Sequence, residues 1–217
     1  MRLFAALVPP PAVLDAVERF TAPLRAGTPA EPTDAKASGP GRARPPGEST
    51  SPELRWIDRD LLHVTLAFFG DLDPSALDVL IPKLERAAER HPCMRLTLAG
   101  GGAFPLGGQY ARVLWAGLYG DRRALAGLAA ATAAAGHHAG AAPDHHRDQH
   151  RAYRPHLTLA RSRGPVDVRP LLEPLATFAT KPWTAEEFHL IHSHLPAPDR
   201  PHPEYEPLAT FRLCGTA

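Results

Sequence analysis

Leu62-His63-Val64-Thr65-Leu66 and Pro155-His156-Leu157-Thr158-Leu159 are the two stretches that decide how this chain folds. Each reads His-apolar-Thr-apolar within a segment that has the composition of a buried strand. Side chains alternate across a strand, so His63 and Thr65 share one face while Val64 and Leu66 take the other. His156 and Thr158 share a face in the same way. A lone His-x-Thr means little, and a structural histidine on a half-buried strand accounts for either copy alone. Two copies, each with apolar residues at the second and fourth positions, are roughly a one-in-a-hundred coincidence at this composition, so the pair carries the reading. Two such strands facing one cleft set two imidazoles and two hydroxyls around a single small anion. That is a workable site for phosphate chemistry.

The two histidines are 93 residues apart in a chain of 217. Working outward from them, Leu3–Val8 reads as a buried strand and the prolines after it open a helix with Val13, Leu14, Val17, Phe20 and Leu24 at helical spacing. A short strand at Arg55-Trp56-Ile57 leads into the first motif strand, Leu61–Phe69. Asp73-Pro74 then caps a helix striped with Leu77, Leu80, Ile81, Leu84 and Ala88. Met94–Ala99 alternates as a half-exposed strand and runs into Gly100-Gly101-Gly102, a turn or bulge. Ala111–Tyr119 is a strand with Val113, Trp115 and Gly117 on one face, and Asp121–Ala135 is an alanine-rich helix. The second motif strand is Tyr153–Arg161. A short helix over Val166–Leu175, a strand over Phe188–Leu195 with His192 and His194 on one face, and a closing strand over Tyr205–Leu213 complete the pattern. A motif repeated at about half the folded length, with helices near each copy, suggests an internal duplication. The expected fold is α+β: two pseudo-symmetric lobes with mostly antiparallel sheets facing a central groove, helices outside, in one domain spanning 1–217.

Hydrophobic residues make up 44% of the chain and charged residues 22%, ordinary for a globular protein, and the net charge of +1 gives no strong pull toward long nucleic acid. A nucleic-acid terminus or a small nucleotide is compatible with it. Two cysteines, Cys93 and Cys214, provide neither a disulfide framework nor a cysteine-rich zinc site. No apolar run is long enough for a membrane span. The N-terminal apolar run is short and stops at Pro9-Pro10-Pro11, which reads as a first strand rather than a leader, so the expected location is cytoplasmic. Two segments depart from any pattern. Residues 27–53 are rich in Pro, Gly, Ser and Thr and bury too little apolar surface to offset their ordering entropy, so a disordered loop is expected there. Residues 136–150 hold His137, His138, His145, His146 and His150 and read as a flexible polar loop. Its spacing matches no regular metal-ligand helix.

The chain resembles the 2H phosphoesterase superfamily, and within it the RNA 2′,3′-cyclic phosphodiesterase (2′-5′ RNA ligase-like) family. The resemblance rests on Met1-Arg2-Leu3-Phe4-Ala5-Ala6-Leu7, Arg55-Trp56 ahead of the first motif with Phe69-Gly70 behind it, and Gly102-Ala103-Phe104-Pro105. It continues through Arg112-Val113-Leu114-Trp115-Ala116-Gly117 and Arg151-Ala152-Tyr153-Arg154-Pro155-His156-Leu157-Thr158-Leu159-Ala160-Arg161, and ends with Ser193 and Tyr205. It runs the length of the chain apart from the two biased segments, which are longer than the family usually shows.

Opening a 2′,3′-cyclic phosphate needs a base to activate water, an acid for the departing ribose oxygen, and donors for the charge on phosphorus. Two imidazoles titrating near neutrality supply the first two without metal or other cofactor, and Thr65 and Thr158 supply the third. The near-symmetric motifs leave the acid and base roles open. The resemblance implies His63 as proton donor, His156 as proton acceptor, a departing 3′ oxygen and a 2′-phosphate product, with 2′-5′ joining as the available reverse reaction. Arg151 and Tyr153, just before the second motif, are further candidates for substrate contact. Strict alternation puts Arg161 on the face opposite His156 unless a bulge intervenes. Phe4 and Tyr205 are core by default, or aromatic surface for a base. The expected partners are RNA 3′ ends or small cyclic nucleotides, with no membrane, no obligate protein partner and a monomeric chain. The competing readings are a non-catalytic nucleotide or RNA-end-binding module on the same fold, and a metal protein built on the His-rich segment.

Overall fold

The structure is a computed structural model that describes residues 1–26, 54–107, 109–141, 153–197 and 203–213. Its elements in chain order are β1 (Arg2–Leu7), α1 (Pro11–Ala26), β2 (Arg55–Trp56), β3 (Val64–Asp71), α2 (Leu77–Glu89), β4 (Met94–Phe104), β5 (Tyr110–Gly120), α3 (Arg122–His138), β6 (His156–Asp167), α4 (Arg169–Ala176), β7 (Trp183–Ala185), β8 (Glu187–His194) and β9 (Glu204–Arg212). The local signals behind them are physical. Pro11 opens α1, where its missing N–H costs nothing. The Asp73 carboxylate accepts from the Ser75 N–H at 2.9 Å and heads the turn that feeds α2.

All strand pairs are antiparallel, and the strands lie in the order β7-β4-β5-β6-β3-β1-β8-β9, with β2 beside β6. Outward from the centre, one half reads β3-β1-β8-β9 and the other β6-β5-β4-β7. The register between the halves is the single pair Val64–Leu157, the residues that follow the two motif histidines. The expected lobes are thus two half-sheets joined edge to edge at the motifs. Two of the helices, α1 and α3, cross to the half they do not come from. α1 leaves β1 and lies on the other half, with Phe20 against Phe178 at 4.6 Å and Arg25 over Trp56 at 5.5 Å. α3 leaves β5 and packs on β3 beside α2, while α4 covers β4. One core fills the space between sheet and helices. A small second cluster of Phe4, Ala6 and Ile191, with Phe68 and Tyr205 against it, sits on the other face of the sheet.

Several boundaries differ from expectation. β4 does not stop at Ala99 but runs through the three glycines to Phe104, with a register shift between Ala99 and Gly101 and Gly100 at φ 58°. A Cβ at Gly102 would overlap the Trp115 ring, so the glycines give the bulge its backbone and the ring its room. The helix expected from Val166 begins only at Arg169, because Val166 and Asp167 pair with Ala111 and Tyr110 in the sheet. α3 continues to His138, so the first three residues of the segment 136–150 are its last turn rather than a loop. Residues 142–150 and the segment 27–53 lie outside the described residues.

Candidate active site

Both histidines sit where their strands begin, and both are held in the same way. His63 precedes β3 and its Nδ1 lies 2.7 Å from the Leu61 carbonyl. His156 opens β6 and its Nδ1 lies 2.8 Å from the Arg154 carbonyl. A carbonyl can only accept, so each ring carries its proton on Nδ1 and keeps Nε2 for whatever enters the groove.

The Val64–Leu157 pair sets the rest of the geometry. Both side chains are fully buried on the core face. In antiparallel register the flanking residues then stand on the opposite face, His63 across from Thr158 and Thr65 across from His156. The four motif side chains form a square with the histidines on one diagonal and the threonines on the other. Neither threonine hydroxyl has a hydrogen-bond partner among the described residues.

A third group joins the square through a bulge. Thr158 pairs with Trp115 but Ala160 pairs with Leu114, so Leu159 is an extra residue and both Leu159 and Ala160 are buried. The bulge reverses the alternation and turns Arg161 to the face of His156. Its guanidinium is close enough for its charge to lower the pKa of His63 and that of Tyr205.

The two imidazoles differ in their walls. His63 packs on Phe4 at 4.9 Å and edge-on to Tyr205 at 5.3 Å. Burial there pushes the ring down to about 4; the Leu61 carbonyl opposes the shift, and Arg161 and His156 add like-charge repulsion. His63 is therefore neutral at pH 7. His156 stands edge-on to Phe104 at 5.1 Å, with Trp115 at 6.2 Å. These rings, Tyr119, Arg122 and Arg154 line an open hollow of about 430 Å³ beside His156. Arg122 lies over the Tyr119 ring at 5.7 Å.

His63, Thr65, His156 and Thr158 are thus brought together as their spacing predicts. Tyr153 has a place in the fold itself. Its ring packs on the main core and its hydroxyl donates to the Thr65 carbonyl at 2.8 Å, tying the lead-in of one motif to the strand of the other. Arg151 lies outside the described residues. Sequence reasoning passed over the walls of His156. Trp115 stood on one face of its predicted strand with Val113 and Gly117, but only the β4–β5–β6 register shows which histidine it meets.

A family model described as the 2′-5′ RNA ligase superfamily matches residues 31–196. An RNA 2′,3′-cyclic phosphodiesterase of Geobacillus stearothermophilus is 28% identical over 169 residues, covering 77% of this chain and 50% of that protein. The chain thus spans about half the length of that curated relative. Among solved structures, the Thermus thermophilus protein TT0787 superposes with a TM-score of 0.68 at 25% identity, covering 100% of both chains. Escherichia coli LigT complexed with 3′-AMP superposes with a TM-score of 0.65 at 24% identity, covering 98% of this chain and 97% of that one. Among the described residues no helix is long and apolar enough to cross a membrane.

Proposed function

The chain belongs to the 2′-5′ RNA ligase superfamily of 2H phosphoesterases, and from that footing we propose that it opens 2′,3′-cyclic phosphates at RNA ends or on nucleotides by acid/base catalysis between His63 and His156. The observation that carries the reading is the diagonal placement of the two imidazoles. An in-line displacement at phosphorus needs its base and its acid on opposite sides of the reacting group. Diagonal cross-strand neighbours lie roughly 7–8 Å apart, a span that admits a phosphoryl group between two Nε2 atoms. The other diagonal offers the hydroxyls of Thr65 and Thr158 to the non-bridging oxygens, and Arg161 offers a guanidinium to the charge that develops.

In this reading His156 takes a proton from water as the water oxygen bonds to phosphorus. The bond from phosphorus to the 3′ oxygen breaks, His63 gives its proton to that oxygen, and a 2′-phosphate remains. The same steps with a ribose 5′ hydroxyl in place of water make a 2′-5′ linkage, and those steps reversed cleave one to the cyclic phosphate and a free 5′ hydroxyl. Neither direction calls on a metal, because the two rings supply both proton transfers. A ring with a pKa of about 4 is a poor donor in the free chain. A phosphate charge near 4 Å away is worth about 4 kcal/mol at an effective dielectric of 20. At about 1.4 kcal/mol per tenfold change, that is enough to return His63 to near neutrality once substrate is bound. The aromatic walls on both sides, Phe4 with Tyr205 and Phe104 with Trp115, are surfaces on which a nucleobase stacks.

The test is incubation of the full chain with a 2′,3′-cyclic nucleotide in EDTA, with the product resolved as 2′- or 3′-phosphate. Turnover to the 2′-phosphate is expected. A nucleotide that binds in the groove but is never opened would make the chain a binding module instead.

A further inference from the structure

The described residues place a second cluster of titratable groups away from the groove. His192 and His194 alternate along β8 and stand on one face, their rings 3.9 Å apart. Glu206 lies across from His192 on β9. Its Oε2 is 2.9 Å from His194 Nε2 and 3.6 Å from His192 Nδ1. One ligand atom from each of the three residues falls within 4.8 Å of the other two.

We infer that His192, His194 and Glu206 form a binding site for a divalent transition-metal ion, zinc being the fitting case. Two imidazoles and a carboxylate suit Zn²⁺, Ni²⁺ or Cu²⁺ and not Mg²⁺ or Ca²⁺, which take oxygen sets. With bonds of about 2.0–2.2 Å, ligand atoms sit up to about 4 Å apart, so small side-chain rotations close the set. Burial, together with the charge of His194, lowers the His192 pKa, and the hydrogen bond from His194 holds the Glu206 carboxyl below its usual range. The ligands ride on a paired hairpin rather than a loop, so the site is largely preformed. An ion here would be structural. Ile191 and Tyr205 alternate to the groove face, where both meet Phe4, and the ion would join β8 to β9 on the far side from substrate. The inference is independent of the proposed reaction.

The test uses the full chain with His137, His138, His145, His146 and His150 replaced by Ala, which removes competing imidazoles. Titration calorimetry with ZnCl₂ is expected to show one site per chain, undisturbed by MgCl₂. In the same background His192→Ala, His194→Ala and Glu206→Gln each weaken it tenfold or more, with far-UV circular dichroism unchanged. Zinc is expected to raise the melting temperature of the parent and not of His194→Ala. No zinc binding in the five-Ala background, or binding that His194→Ala and Glu206→Gln leave intact, would overturn the inference.

Discussion

His63 and His156 share a motif and an Nδ1 anchor, yet their surroundings make them unequal. His63 is enclosed by Phe4 and Tyr205 and faces Arg161, and burial holds its ring down to about 4. The proposed donor is thus neutral until substrate arrives, and substrate charge is what arms it. Proton NMR titration of the ring signals checks this directly. In the free chain His63 is expected to titrate near 4, and with a saturating 2′-nucleotide it should move up toward neutrality. A His63 that titrates near 6.5 in the free chain would remove the argument for substrate-driven protonation.

At the scale of elements, small irregularities do as much as the regular strands. The bulge at Leu159 turns Arg161 into the groove, and the glycine bulge in β4 lets the Trp115 ring lie against Gly102. Gly102→Ala should therefore displace Trp115, at a cost of about 1–3 kcal/mol for overpacking. Melting temperature and tryptophan fluorescence check this, and an unchanged melting point would show that the ring moves freely. These features also mark the limit of sequence reading. Period-2 alternation found the motif strands and put the four site residues on one face, because Val64 and Leu157 are unmistakably core. It could not count the extra residue at Leu159, which adds one apolar residue to an apolar run. It ended β4 at the glycines, since glycine signals both turns and bulges. It took Val166 and Asp167 for the start of a helix, because pairing with β5 is a long-range fact. Tyr153 looked like a substrate residue by proximity to the motif, and only the fold shows its hydroxyl on the Thr65 carbonyl.

For the whole molecule, the buried imidazole links stability to pH. The native state holds His63 at about 4 against an ordinary 6.5, so below pH 6.5 the unfolded chain binds a proton that the folded chain refuses. Stability from this group is complete above pH 6.5, falls as pH drops from 6.5 to 4, and is flat below. The upper limit is about 3 kcal/mol. Burial lowers His189 and His192 as well and adds in the same direction. Urea midpoints measured from pH 7 to pH 4 should decline in the parent and decline less in His63→Gln. Equal slopes would assign the loss to other groups. The two half-sheets meet at one residue pair between the motifs, and one helix from each half, α1 and α3, packs on the other. The halves should accordingly unfold together.

The measurement that tests the central claim most directly is the rate of 2′,3′-cyclic nucleotide opening by the parent chain, His63→Ala, His156→Ala and the double variant, in EDTA. If the rings act as one acid/base pair, each single variant loses roughly 10²–10⁴-fold and the double variant loses little more than either. A single variant that keeps the parent rate, or losses that multiply in the double variant, would contradict the two-histidine account.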